Sequence, residues 1–299
     1  MRLTVIGTVA FDSVETAHGK RDMALGGSAT YASLSASFFS PVNLISVVGT
    51  DFPEKYLKMF KSHGVDISGV EMKEGKTFYW KARYDADFAY ATTLDTQLNV
   101  FADFEPSIPK IVKPSDNLLL ANIDPDFQEY IFRNIKPTGL VACDTMNLWI
   151  NTKKTSLLKL LKKVDILLLN DAEARMLSGE KNLMSAAKCI ASHGAKMVVI
   201  KKGEHGALYF HNGLKAIVPA YLLESISDPT GAGDTFAGGM MGYLSRKTKV
   251  TDTDLRRSLM YGSILASFTV QKFSADGLLN IRKNDVERRY KHFSQLLKN

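Results

Sequence analysis

The sequence predicts an α/β fold: a mostly parallel central sheet sandwiched by helices, with a small antiparallel β element set apart from it. Three observations predict it. Short apolar runs of strand length alternate with amphipathic stretches of helix length over most of the chain, which is the pattern of strand–helix–strand units and hence of a parallel sheet. One interval, 76–101, abandons that rhythm for alternating aromatics. A chain of 299 residues, 45% hydrophobic and 23% charged, has the composition of a globular protein with a sizeable core, and it reads as one domain over 1–299.

Leu3-Thr4-Val5-Ile6-Gly7 is the first buried strand, and Asp12 follows just beyond it. Acids past the carboxyl ends of strands face the ligand crevice of open α/β sheets, although an Asp there can equally stabilise a turn. Val14 to Leu25 reads as a hairpin turning at His18-Gly19-Lys20. Gly26-Gly27 then opens a helix of small residues (Ala32, Ser33, Ser35, Ala36, Ser37), and such a pair lets a ligand come close to the backbone. Val42–Gly49 is a second strand, 53–63 an amphipathic helix and 66–70 a third strand.

In the aromatic interval, alternation sets Phe78, Trp80, Ala82 and Tyr84 on one face, with a turn at Asp85-Ala86-Asp87 and a return along Phe88–Thr92. That face needs a partner, which could be the core, a second subunit or a ligand. The parallel rhythm resumes with strands at 117–123 and 140–144 around a helix at 126–133. Asn122, Asp144 and Asn147 lie just beyond strand ends, so position alone lines them on the crevice. After the apolar strand 164–169, Asn170 and Glu173 have the spacing of a helix capping box. Strand 196–200 leads into Lys201-Lys202-Gly203-Glu204-His205-Gly206, and a hairpin turning at Asn212-Gly213 follows.

The stretch around which the rest is organised is Asp228-Pro229-Thr230-Gly231-Ala232-Gly233-Asp234-Thr235-Phe236. Its Gly231-Ala232-Gly233 core lets backbone N–H groups surround an anion, and helical spacing from about Asp234 puts them at a helix N-terminus, where phosphate is favoured. A carboxylate beside a phosphate site is repelled by the occupant unless it has a task, and accepting a proton from an attacking hydroxyl is that task in phosphoryl transfer. The plainer alternative is a tight turn in which Asp234 caps the helix. Neither a Gly-x4-Gly-Lys-Ser/Thr phosphate loop nor the glycine loop and His-Arg-Asp set of protein kinases is present.

This stretch resembles the C-terminal signature of the ribokinase-like (PfkB) carbohydrate kinase family, and it fills each position through Phe236-Ala237-Gly238-Gly239. Gly26-Gly27 resembles the family's N-terminal signature, Asn170–Glu173 its Asn-x-x-Glu motif, and Gly203/Gly206 its Gly-x-x-Gly beside the nucleotide. The resemblance spans nearly the whole chain and implies a ribokinase-like fold with a β lid from about 12–25 and 74–103, which in the family is often a dimer contact.

It implies an ATP-dependent kinase acting on a sugar or sugar-like hydroxyl, with Asp234 as base and Gly231, Ala232 and Gly233 as amide donors. Asp12, Gly26, Gly27 and Tyr31 would hold the acceptor, with Asn122 and Asp144 on the crevice. Asn170, Gly203, Gly206 and Thr230 would lie on the nucleotide side, and Glu173 would order Mg²⁺ through water. Two departures bear on substrate and cation. Tyr31 stands where many members carry a sugar-binding Asn, so a nucleoside such as adenosine, or inositol, stays an alternative acceptor. The loop from Thr269 to Asp276 corresponds to one that in many relatives holds a monovalent cation with Asp228 and Thr230, and Ser274 stands there in place of a glycine usual in ribokinases, which leaves K⁺ activation open. Lys201 replaces a common hydroxyl residue, and it either reaches a phosphate or sits in solvent.

The composition narrows the alternatives. The net charge of +7 is spread along the chain rather than gathered into a stripe, so nucleic acid is not the expected partner. No apolar run approaches the ~20 residues needed to span a bilayer, and the N-terminus enters a strand directly rather than a signal peptide. Cys143 and Cys189 read as reduced core thiols of a cytoplasmic protein. The six histidines have no metal-ligand spacing. A non-catalytic nucleotide-binding module would have no need of a carboxylate at Asp234.

Overall fold

The computed structural model describes residues 1–85, 88, 91–114, 116–211 and 213–297. Seven strands run parallel in one sheet: β1 (Leu3–Ile6), β4 (Val42–Gly49), β5 (Val65–Lys73), β8 (Asn117–Leu120), β9 (Val141–Asp144), β10 (Ile166–Asn170) and β11 (Met197–Lys201). The antiparallel hairpin β12 (Ala207–His211) and β13 (Leu214–Val218) extends it, giving the order β13-β12-β11-β10-β9-β8-β1-β4-β5. From β1 the chain builds outward through β4 and β5, then crosses to β8 on the other side. The order therefore reverses at β1/β8, the place where such sheets open a crevice at their carboxyl ends.

The strands are apolar on both faces because both are covered. Val5, Leu119, Leu168 and Val199 join one core, while the alternating Ile6, Leu118, Leu120, Leu167, Leu169, Val198 and Ile200 join the other. The first core is closed by α1 (Ser28–Ser37), α8 (Ala232–Leu244), α9 (Asp252–Thr269) and α11 (Lys283–Leu296). The second is closed by α3 (Pro125–Ile135), α5 (Lys154–Leu161), α6 (Asp171–Ser178) and α7 (Leu183–Ser192).

The small residues of α1 meet the glycines of α8. A Cβ at Gly238 would lie 2.2 Å from the Ala32 carbonyl, and Ser35 Oγ donates to the Thr235 carbonyl at 2.6 Å. This near-contact of two backbones brings the N-termini of α1 and α8, and so both glycine signatures, to the same crevice.

The smaller sheet has the order β3-β2-β6-β7, built from β2 (Ala10–Thr16), β3 (Gly19–Gly26), β6 (Phe78–Tyr84) and β7 (Ala91–Gln97). Two antiparallel hairpins meet through a parallel register, Ala10↔Phe78 to Glu15↔Arg83. The first hairpin is tied to the segment before the glycine turn, where Thr16 Oγ1 donates to Ser227 O at 2.9 Å, and to the chain after α9, where Ser274 Oγ donates to Leu25 O at 2.5 Å and Arg21 pairs with Asp276 at 3.2 Å. The aromatic face divides its partners. Phe78 packs edge-on to Phe101 in the main body, whereas Tyr84 reaches the glycine turn.

Several expectations change. Helix α8 begins at Ala232, two residues before Asp234, because Gly231 at φ 75° is its N-cap. Cys189 is half-buried on α7 rather than a core thiol; it and buried Cys143 are both free. The turns expected at Asp85-Ala86-Asp87 and Asn212-Gly213, and Ala89-Tyr90 of the returning strand, include positions outside the described residues. Among the described residues no helix is long and apolar enough to cross a membrane.

Candidate active site

Asp228, 1% exposed, shapes the turn from within. Its Oδ1 accepts from Thr230 N–H at 2.9 Å and its Oδ2 from Ser274 N–H at 3.3 Å. Burial raises its carboxyl above the usual range. Ser274 is in the left-handed region (φ 60°), the backbone that explains why glycine would be the usual occupant. Gly231 is required twice over: by its positive φ, and because a Cβ there would lie 2.4 Å from the Tyr31 ring.

Ala232 N–H closes the turn onto the Pro229 carbonyl at 3.1 Å. Of the three amides expected to form the cradle, Ala232's is therefore spent within the turn, while Gly233 stays in the first turn of α8. Asp234 does not sit at the N-cap. It lies in the first turn, with its carboxyl pushed up to about 7 by burial and then by the charge of Asp144, against the pull of Lys201 and its own amide.

On one side of Asp234 stands Asp12, buried, its Oδ2 accepting from Gly27 N–H at 3.3 Å. The glycine pair makes room for protein. A Cβ at Gly26 would lie 1.9 Å from Asp12 Oδ2, and one at Gly27 (φ 94°) would lie 2.4 Å from the Thr8 carbonyl. Burial lifts Asp12 to about 7, with the charges of Asp228 and Asp234 adding to it.

Tyr31, 1% exposed, has a buried hydroxyl with no hydrogen-bond partner among the described residues. Burial, then Asp12, Asp228, Tyr84 and Asp234, push it well above the ordinary tyrosine range. Tyr84 completes this side by accepting from Thr230 Oγ1 at 3.3 Å. The sequence had placed Tyr84 only on an aromatic face; nothing local marks it as part of the site.

On the other side, Lys201 does not sit in solvent. Its Nζ lies 2.8 and 3.1 Å from the two Asp144 oxygens, with Asp144 buried and the lysine mostly covered, their side chains 4% and 17% exposed. Asp144 is thus paired with Lys201 at this corner. The capping box is real: Asn170 Oδ1 accepts from Glu173 N–H at 2.8 Å, and Glu173 Oε2 accepts from Asn170 N–H at 2.7 Å. Burial holds Glu173 near 7 despite Lys201.

Gly206 is fixed by a close approach of Val218 O, 2.1 Å from a Cβ placed there, while Gly203 adopts φ 54° in open space. Asn122 is already engaged, its Oδ1 accepting from the Trp149 indole at 3.0 Å and its amide facing Met146 Sδ at 3.1 Å. Asn147 is exposed as the first residue of α4 (Asn147–Thr152), its Oδ1 accepting from Leu148 N–H at 2.8 Å. Among the described residues no three acidic, His or Cys side chains converge as a metal cluster.

The chain matches the family described as pfkB family carbohydrate kinase over residues 3–281. It is 30% identical over 249 residues to the cytidine kinase of Thermococcus kodakarensis, covering 82% of this chain and 88% of that protein. It is 26% identical over 313 residues to the ribokinase of Haemophilus influenzae, covering 95% and 97%. The nucleoside kinase structure of Methanocaldococcus jannaschii has a TM-score of 0.76 at 19% identity, over 97% of this chain and 98% of that one. The aminoimidazole riboside kinase structure of Salmonella enterica has a TM-score of 0.77 at 20% identity, over 97% and 99%. Both likenesses carry the ribokinase-like fold.

Proposed function

The chain belongs to the pfkB family of carbohydrate kinases, which makes it an ATP-dependent kinase for a sugar or nucleoside hydroxyl, and from that premise we propose that Asp234 is its general base. The acceptor hydroxyl gives its proton to Asp234 as its oxygen bonds the γ-phosphorus. The bond from that phosphorus to the bridging oxygen breaks, and ADP leaves with the electron pair. The observation that carries the reading is Asp234 in the first turn of α8, beside the Gly233 amide, held near 7 by burial. A carboxylate matched to neutral pH can accept a proton at working pH and release it afterwards.

The acceptor would lie against Asp12, with Tyr31 offering its unpartnered hydroxyl. Gly26 and Gly27 would contribute by shape, since their space admits the Asp12 carboxylate and Thr8. The family's divalent metal fits the donors present. Glu173 spends Oε2 on its cap and keeps Oε1, a sparse oxygen set suited to Mg²⁺ that retains its waters. Glu173, with Asn170 beside it, would hold that ion, which when bound neutralises phosphate charge.

A nucleoside acceptor is a second reading, favoured by the 30% identity to a cytidine kinase and by the Tyr31 and Tyr84 rings beside Asp12. ATP consumption with ribose, fructose, inositol, adenosine and cytidine tests both readings. One acceptor should stand out, and Asp234→Asn should lower its turnover by roughly 10³-fold. Turnover within a factor of a few of wild type would remove Asp234 as base.

A further inference from the structure

The electrostatics of the cradle contain a feature that the family resemblance does not supply. Lys201 is the last residue of β11, in register with Asn170 at the end of β10, so its side chain leaves the sheet at the crevice. Its last three atoms run alongside the first turn of α8: a Cβ placed at Gly233 would meet Nζ at 3.1 Å, Cε at 3.7 Å and Cδ at 3.9 Å. Glycine at 233 thus leaves room for an ammonium group beside the amide donors.

That is the wrong pole for a cation. A helix N-terminus carries a partial positive charge, and lysines are stabilised at the opposite end. An ammonium placed there needs an anion, and Asp144, reaching across from β9, supplies one.

We propose that Lys201 is the cation that receives the transferring phosphoryl group of ATP, with Asp144 as the positioning residue that holds it at the cradle until the phosphate arrives. The proposal rests on the kinase reading above. The terminal phosphate shares or takes over the ammonium from Asp144, no covalent bond to lysine forms, and the lysine keeps its proton throughout. Asp234 is faced by Asp144 from β9, Glu173 from α6, Lys201 from β11 and Asp12 from β2, with Asp228, Tyr31 and Tyr84 in the same surroundings. Lys201 is the one basic side chain in that group among the described residues, so it also opposes the acids that raise Asp234.

The competing explanation is a structural ion pair. Breaking one member of a buried pair destabilises, whereas replacing both by neutral groups is often tolerated. The test therefore uses the full chain with Lys201→Met, Lys201→Arg and the double variant Lys201→Met/Asp144→Asn. Binding of a non-hydrolysable ATP analogue, and of AMP, is measured by calorimetry, alongside melting temperature and a pH–rate profile.

The double variant should melt near wild type, bind the ATP analogue at least tenfold more weakly, bind AMP within twofold of wild type, and turn over about 100-fold more slowly. In Lys201→Met alone the acid limb of the pH–rate profile should move to higher pH, as Asp234 loses its one opposing cation. Lys201→Arg should keep most of the analogue affinity. Equal losses for AMP and the ATP analogue, or a double variant with wild-type turnover, overturn the proposal. Binding is read without an acceptor, so a wild type that phosphorylates none of the acceptor panel would count against the functional reading and leave the Lys201 result interpretable.

Discussion

Asp144 and Asp12 are both buried acids at the edge of one glycine turn, yet they are neutralised by different means. Asp144 has an ammonium within 3.1 Å of each oxygen, and its neighbour Glu173 closes a capping box. Asp12 has one long bond from a backbone amide, faces two further acids, Asp228 and Asp234, and adjoins a tyrosine hydroxyl with no partner among the described residues. Burying polar groups without donors costs free energy that a folded protein recovers only from a ligand or a bound proton. Only one corner is finished before substrate arrives. The lysine corner is internally satisfied and suited to exchange one anion for another. The Asp12 corner is short of donors, and a polyhydroxylated acceptor supplies O–H groups.

Damage to each corner in turn should hurt a different substrate. Asp12→Asn should raise the KM for the acceptor by roughly a hundredfold, the loss of one or two charge-assisted hydrogen bonds at about 1.5–3 kcal/mol each. Binding of the ATP analogue should stay near wild type. Steady-state kinetics with each substrate varied in turn checks this. If Asp12→Asn weakened ATP and spared the acceptor, the two corners would have been assigned the wrong way round.

A gentler probe is Tyr31→Phe, which removes only the orphaned hydroxyl. It should raise the acceptor KM by about tenfold and also raise the melting temperature of the ligand-free protein, because a buried hydroxyl without a partner is a net cost. A drop in melting temperature would mean that the hydroxyl is satisfied in solution, and the corner would not be short of donors.

The unequal legibility of the two corners in the sequence has a physical cause. Asp228–Asp234 could be read directly, since a positive-φ glycine, an Asx-type bond from Asp228 and a helix start are local chemistry within seven residues. The strands were legible because both faces are covered, which makes them continuously apolar. Lys201 could not be assigned, because its direction is decided by Asp144, 57 positions away in sequence. Tyr31 read as a substituted ligand, and only the fold sets its ring under Gly231. Asn122 looked available until Trp149 claimed its oxygen. Ala232 was miscast for a local reason: the turn that exposes neighbouring amides must close on one of them.

The smallest effect expected is on stability, and it has a definite sign. Asp12, Glu173 and Asp234 each hold a proton up to about 7 in the fold, whereas an unfolded chain releases it near 4. Between those values the native state binds more protons than the unfolded state, so stability falls as pH rises through the window. Asp254 works the other way. Paired with Lys247 it is held at about 2, so its contribution is lost as pH falls below about 4 and sets the lower bound of the window. The ligand-free protein should therefore melt a few degrees higher at pH 5.5 than at pH 8 in scanning calorimetry. Asp12→Asn, which removes one of the three protons from the balance, should flatten that slope. A melting temperature that is level or falls on acidification would mean that these acids are hydrated in solution, and the acceptor corner would then have no shortage of donors to explain.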